Sequence, residues 1–373
     1  MQPKNAGTIV DATECASRWF SRNSLSMTCL PLLRTTVLVA IFACAVSLTA
    51  TAPSIAQHAK ADEMDSSIKP GEDFYRYANG GWLKTVAIPA GQSRYDDRAM
   101  LTEKTSQRVR DLFQDAAASH PARGSVAQKV GDYYASFMDQ DGIQARGLTP
   151  LTDEMTLISK IQNKESLSAY LGTTLNTEVD WLTVNADHIF GLWVNQAFED
   201  SKHNLPHMLQ GGLGMPDRDS YVDPSPKMAA LRVQYQAHIA AILKLAGVAD
   251  PEIRATHVLT LETGIARSHA PDADAADVFK QNNPWKRADF GSKAPGMDWN
   301  AYFRAAGLAA QSDFIVWQPT AVIGTSALVD REGIDAWKDY LLFHLIEHYA
   351  SALPGTVAAE DFAFYGTILS GAQ

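Results

Sequence analysis

Residues 70–95 read PGEDFYRYANGGWLKTVAIPAGQSRY. Five aromatic side chains, the Gly80-Gly81 pair and the Ile88-Pro89 step share this one span. Glycine pairs and proline steps interrupt helical periodicity, so the stretch is expected to be held by tertiary contacts, as a buried aromatic turn that anchors the chain.

The order Pro70-x-x-Asp73-Phe74-x-x-Tyr77-Ala78-x-Gly80-Gly81-Trp82-Leu83, continued by Ile88-Pro89 and Ser93-Arg94-Tyr95, resembles the opening signature of the neprilysin-like zinc metalloendopeptidases, peptidase family M13. The resemblance runs over residues 66–373. It implies a mainly α fold, a multi-helix lobe with a few short β-strands, that caps an enclosed chamber admitting oligopeptides. In that family an arginine in the Ser-Arg-Tyr context pairs with the carboxylate end of short peptide substrates. The matching residue is Arg94, whose planar guanidinium fork suits a carboxylate.

Working outward, the cysteines Cys15, Cys29 and Cys44 all precede residue 45. Residues 30–56 read LPLLRTTVLVAIFACAVSLTATAPSIA, a basic residue, an apolar run and a small-residue end. That is the order of a secretory signal, and the run is short for a bilayer span. The expected organisation is an N-terminal extension and signal over 1–56, with Met1 or Met27 as the start, followed by a helical domain over 57–373. Such a product is exported, periplasmic or secreted, and contains no cysteine. Animal members of the family are disulfide-rich, with two of their cysteine positions falling at Gly71 and Asn79, so the sequence resembles the bacterial branch.

Net charge is −10 over the whole sequence and −12 once residues 1–57 are set aside. With no basic stripe, nucleic acid and anionic membrane are excluded as expected partners. Beyond the opening stretch, helical spacing marks 101–116, 126–138, 151–175, 226–247 and 251–268, and a final long helix from about 334 to 353. Residues 179–213 alternate as two or three short strands, and 314–317 form another. The segment Gln210 to Asp219 is a glycine-rich turn without the spacing of a phosphate loop.

Peptide hydrolysis by zinc calls for His-Glu-x-x-His, in which two histidines one turn apart bind the metal and the Glu takes a proton from its water. None of the ten histidines is followed by Glu. The nearest substitute is His344-Leu-Ile-Glu347-His348, the inverted order. His344 and His348 share a helix face with Trp337 and Leu341, and the family has a helix here with no zinc role, so no metal is expected on this chain. Asn300 imitates a substrate-binding Asn-Ala motif, but its context fits a different segment of the family. Glu262 is expected to pair with a nearby base. The resemblance therefore implies the N-terminal portion of an exported zinc endopeptidase of oligopeptides, inactive alone, with zinc and catalytic groups supplied by a C-terminal region. The rival reading is an exported helical protein that binds peptides without cutting them.

Overall fold

The computed structural model describes residues 63–177, 179–180 and 185–372. The signal at 30–56 and the three cysteines lie outside them. The chain divides into two compact units, one ending at Val86 and the other beginning at Ala87.

In the first unit the opening stretch departs from expectation. Residues Phe74–Thr85 form helix α1, with Asp73 as N-cap accepting from the Arg76 amide. Phe74 and Tyr75 are 69% and 64% exposed, so they do not form a buried turn. The cap outweighs the helix-weakening Gly80-Gly81 pair, and Gly80 is used for contact. A Cβ there would fall 2.4 Å from the Asp65 Cβ. Asp65 in turn accepts from Lys84 Nζ at 2.6 Å and from the Ser67 amide at 3.1 Å.

The second unit opens with the helical hairpin α2 (Asp97–Ala118) and α3 (Val126–Met138), capped by Asp96 and Ser125. Gly131 lets the two helices touch, since a Cβ would sit 2.8 Å from the Ala116 carbonyl oxygen. Although the apolar spacing is helical, no residue of the 22-residue α2 is buried. Short helices α4 (Gln140–Arg146), α5 (Thr152–Ser159) and α6 (Lys164–Thr173) follow, the last started by an Asn163 capping box.

Strands β1 (Val179–Asp180) and β2 (Asn185–Ala186) pair antiparallel. A second sheet is built on the hairpin β3 (Phe190–Gln196) and β4 (Asn204–Gln210), in register from Phe190 opposite Gln210 to Gln196 opposite Asn204. After helices α7 (Arg218–Val222), α8 (Pro226–Leu245), α9 (Pro251–Ser268), α10 (Asp272–Ala275) and α11 (Val278–Gln281), strand β5 (Pro284–Lys286) joins it. Helices α12 (Phe290–Lys293) and α13 (Trp299–Ala305) precede β6 (Asp313–Val316), which lies parallel to β4 and gives the order β3-β4-β6-β5. Alternation along the strands sends Phe190, Met208, Phe314 and Val316 into the main core, and Leu209 and Ile315 into a small cluster on the other face with Trp317.

Helix α14 (Pro319–Arg331) carries no sequence signal strong enough to have marked it. Gly324 and the β-branched neighbours Val322 and Thr325 weaken its propensity, and packing supplies what propensity lacks. A Cβ on Gly324 would meet the Ser268 Cβ at 2.2 Å, so α14 can lie close against α9 only with glycine there. The same device joins α6 to α13, where a Cβ on Gly172 would fall 2.2 Å from the Tyr302 carbonyl oxygen. Helix α15 (Ile334–His348) ends earlier than expected and gives way to a 3-10 turn at Ala350–Ala352. Helix α16 (Gly355–Asp361) runs into a π-helix, Phe362–Leu369.

Candidate functional site

Helices α7, α8, α9 and α15 meet at one buried carboxylate. Glu262 of α9 is fully buried, on the same face as Val258 and Ile265. It accepts from Tyr221 Oη at 2.8 Å, Tyr235 Oη at 3.1 Å and His344 Nε2 at 2.7 Å. Tyr221 also accepts from the Met215 amide at 2.8 Å, tying the glycine-rich turn to the same point. Burial, and then the charge of Glu262, hold both tyrosine hydroxyls far above their ordinary range, so they remain neutral donors. Glu262 thus has its base, His344, together with two tyrosine partners that lie far from it in sequence.

His344 Nδ1 lies 3.6 Å from Glu347, and His348 Nδ1 lies 3.7 Å from Asp187. Burial raises the Glu347 carboxyl well above the usual range, and Glu262, Asp361 and Asp187 push it the same way. His344 donates through Nε2 to Glu262, which leaves that nitrogen no lone pair for a metal. Among the described residues no three His, Cys, Asp or Glu side chains are grouped to hold an ion, whereas a catalytic zinc takes three protein ligands and an open position.

His344 and His348 instead line one wall of a cleft of about 720 Å³, with Glu154, Tyr170, Asp187 and Tyr349 among the other lining residues. Tyr170 donates to Glu154 at 2.6 Å. Arg94 lies elsewhere, exposed in the segment ahead of α2, and its guanidinium makes no hydrogen bond or ion pair with another described residue. Asn300 is an exposed residue of α13 beside its Asp298 cap. The structure therefore does not bring Arg94 together with the two histidines.

The model of Peptidase family M13 matches residues 70–373. The chain belongs to Peptidase family M13. Among the family's curated members, rat endothelin-converting enzyme 1 is 24% identical over 319 residues, 82% of this chain and 41% of its own length. Among solved structures, the Mycobacterium tuberculosis zinc metalloprotease ZMP1 in complex with an inhibitor is 29% identical with a TM-score of 0.76. That match covers 83% of this chain and 47% of the protease. PEPO from Lactobacillus rhamnosis, 16% identical at a TM-score of 0.65, shares the fold. This M13 chain spans less than half the length of these relatives. Its mainly helical architecture with one four-stranded sheet is the fold the opening signature implied. Among the described residues no helix is long and apolar enough to cross a membrane.

Proposed function

We propose that this chain is the helical N-terminal part of an exported, zinc-dependent endopeptidase that cleaves oligopeptides. The observation that carries the reading is the family match over residues 70–373 in a sequence that holds no His-Glu-x-x-His. On this reading the zinc and the proton-transferring groups come from residues other than these. When bound there, the metal supplies an activated water for attack on a peptide carbonyl. This chain contributes a wall of the substrate chamber, and Arg94 grips a terminal carboxylate. Support for the latter is chemical: an exposed guanidinium without a protein carboxylate partner among the described residues retains its donors for a ligand. Residues 1–56 act as extension and export signal, residues 57–373 as the helical domain, and the site of action is outside the cytoplasm.

The test compares two preparations. Protein isolated from its native source is expected to cleave an internally quenched oligopeptide, to lose that activity to a zinc chelator and to regain it with zinc. The isolated 373-residue chain is expected to leave the same peptide intact. Zinc-dependent cleavage by the isolated chain, or none by the native preparation, overturns the proposal.

A further inference from the structure

The cleft lined by His344 and His348 has a chemistry that the Arg94 reading does not use. Its volume of about 720 Å³ falls in the range of small-ligand sites, roughly 300–1,000 Å³. Leu151, Leu171 and Ile189 give it an apolar floor, and among the described residues no lysine or arginine lines it. The carboxylates that do line it are Asp153, Glu154 and Asp187. Of these, Asp187 is 77% exposed and faces His348 at 3.7 Å. Glu154 spends one oxygen on the Tyr170 hydroxyl, and its other oxygen makes no hydrogen bond among the described residues.

Behind the wall stands a further carboxylate, Glu262, on the Nε2 side of the His344 ring. Low-dielectric walls focus the field of such groups into the cleft. Three tyrosine rings, Tyr170, Tyr340 and Tyr349, add aromatic surface, whose π-clouds attract cations and repel anions. A neutral apolar guest would leave the rim carboxylates without compensation, and an anion would be repelled by them.

We propose that this cleft binds the guanidinium or ammonium group of a basic peptide side chain. The aliphatic stem lies on the leucine floor and the charged head reaches Glu154 and Asp187. That the group is carried by a peptide rests on the proposed function; that the cleft takes an organic cation does not. The arrangement gives the chain two grips of opposite sign, Arg94 for a carboxylate and the cleft for a basic residue.

The experiment is titration calorimetry on the full chain at low salt and about pH 8, where an ordinary histidine is neutral. The probes are acetyl-Ala-Phe-Arg-Ala-amide and its citrulline isostere. Both ends are blocked, so Arg94 has no terminal carboxylate to hold. The arginine peptide is expected to bind at least about tenfold more tightly than the citrulline peptide, a difference that shrinks as salt is added. The double variant Glu154→Gln, Asp187→Asn is expected to erase most of that difference, and Arg94→Ala to leave it intact. The amide introduced by Glu154→Gln retains an acceptor for Tyr170, and position 187 is exposed, so neither change threatens the fold. Equal binding of the two peptides, or an arginine preference that survives the double variant, overturns the proposal. Butylguanidinium serves as a probe free of any peptide. If it binds the wild type and not the double variant while native protein shows no peptidase activity, the proposed function fails and the cation site stands.

Discussion

Replacing Glu262 by leucine removes the acceptor of two buried donors and one part-buried donor while nearly conserving volume. Tyr221, Tyr235 and His344 each lose the hydrogen bond they now make, at 2.8, 3.1 and 2.7 Å. A buried donor left without a partner costs about 1–3 kcal/mol. His344 retains the Glu347 side at 3.6 Å and lines the open cleft, which allows water to replace part of its loss. The expected total is therefore about 3–5 kcal/mol, a large share of the roughly 5–15 kcal/mol typical of a domain. Glu262→Gln keeps an acceptor oxygen and is expected to cost about half as much. The assay is urea unfolding followed by tryptophan fluorescence, read as a shift of midpoint at constant slope. Tyr235→Phe sharpens it. In the wild type the change removes a good hydrogen bond, at about 1 kcal/mol, and in the Glu262→Leu background it removes an orphaned hydroxyl at little or no cost. A Glu262→Leu chain within about 0.5 kcal/mol of wild type, or additive effects of the two changes, would refute the idea that this carboxylate ties the four helices together.

Three further outcomes are expected. His269 is buried, with Nε2 donating to the Gly211 carbonyl oxygen at 3.1 Å, and burial lowers its pKa from 6.5 to about 4. The unfolded chain takes up a proton that the folded chain refuses, so this group's contribution is whole above pH 6.5 and drains away as pH falls toward about 4. That loss amounts to roughly 3 kcal/mol, and His269→Gln should flatten the stability profile across this window in urea titrations at stepped pH. Gly172→Ala drives a methyl into the Tyr302 carbonyl oxygen and is expected to cost about 2–3 kcal/mol, seen as a lowered thermal midpoint. Arg94→Ala should leave that midpoint unchanged, the side chain being exposed, and should weaken a short peptide acid while sparing the corresponding amide.

Much of the fold was legible because helices such as α8 and α9 announce themselves through caps and periodic apolar faces. Asn163, Ser125 and the proline starts at 226 and 251 stand where the helices begin. Two failures share one cause. In α1 and in α14, glycines that read as helix breakers are present because another chain segment passes within van der Waals contact, and nothing local reveals that contact. The fate of the α2 stripe was equally hidden, since helical spacing says that a face is apolar and not that anything covers it. At the candidate site the inverted histidine motif was visible and its partners were not. Glu262 lies 82 residues from His344, and Tyr221 lies 41 from Glu262. Asp187 and Glu154 carry no motif at all. Only the folded chain brings Asp187, from the bend after β2, and Glu154, from α5, to the cleft that His344 and His348 line.

The π-helix at Phe362–Leu369 bears on how the sequence can change over time. A π-turn holds one residue more than an α-turn, so such a segment is an α-helix carrying an insertion. Here the widened turns seat Phe364 flat on His238, with ring centroids 4.9 Å apart and planes 13° from parallel. Deleting one residue from this segment would let the helix close to α geometry without breaking the chain. Because the wider turns absorb the extra residue, side chains beyond such a deletion would stay close to their present faces, whereas the same deletion in a regular α-helix would rotate them by about 100°. A one-residue gap in this stretch of a related sequence would therefore leave the flanking faces in place, where the same gap in a neighbouring α-helix would turn them.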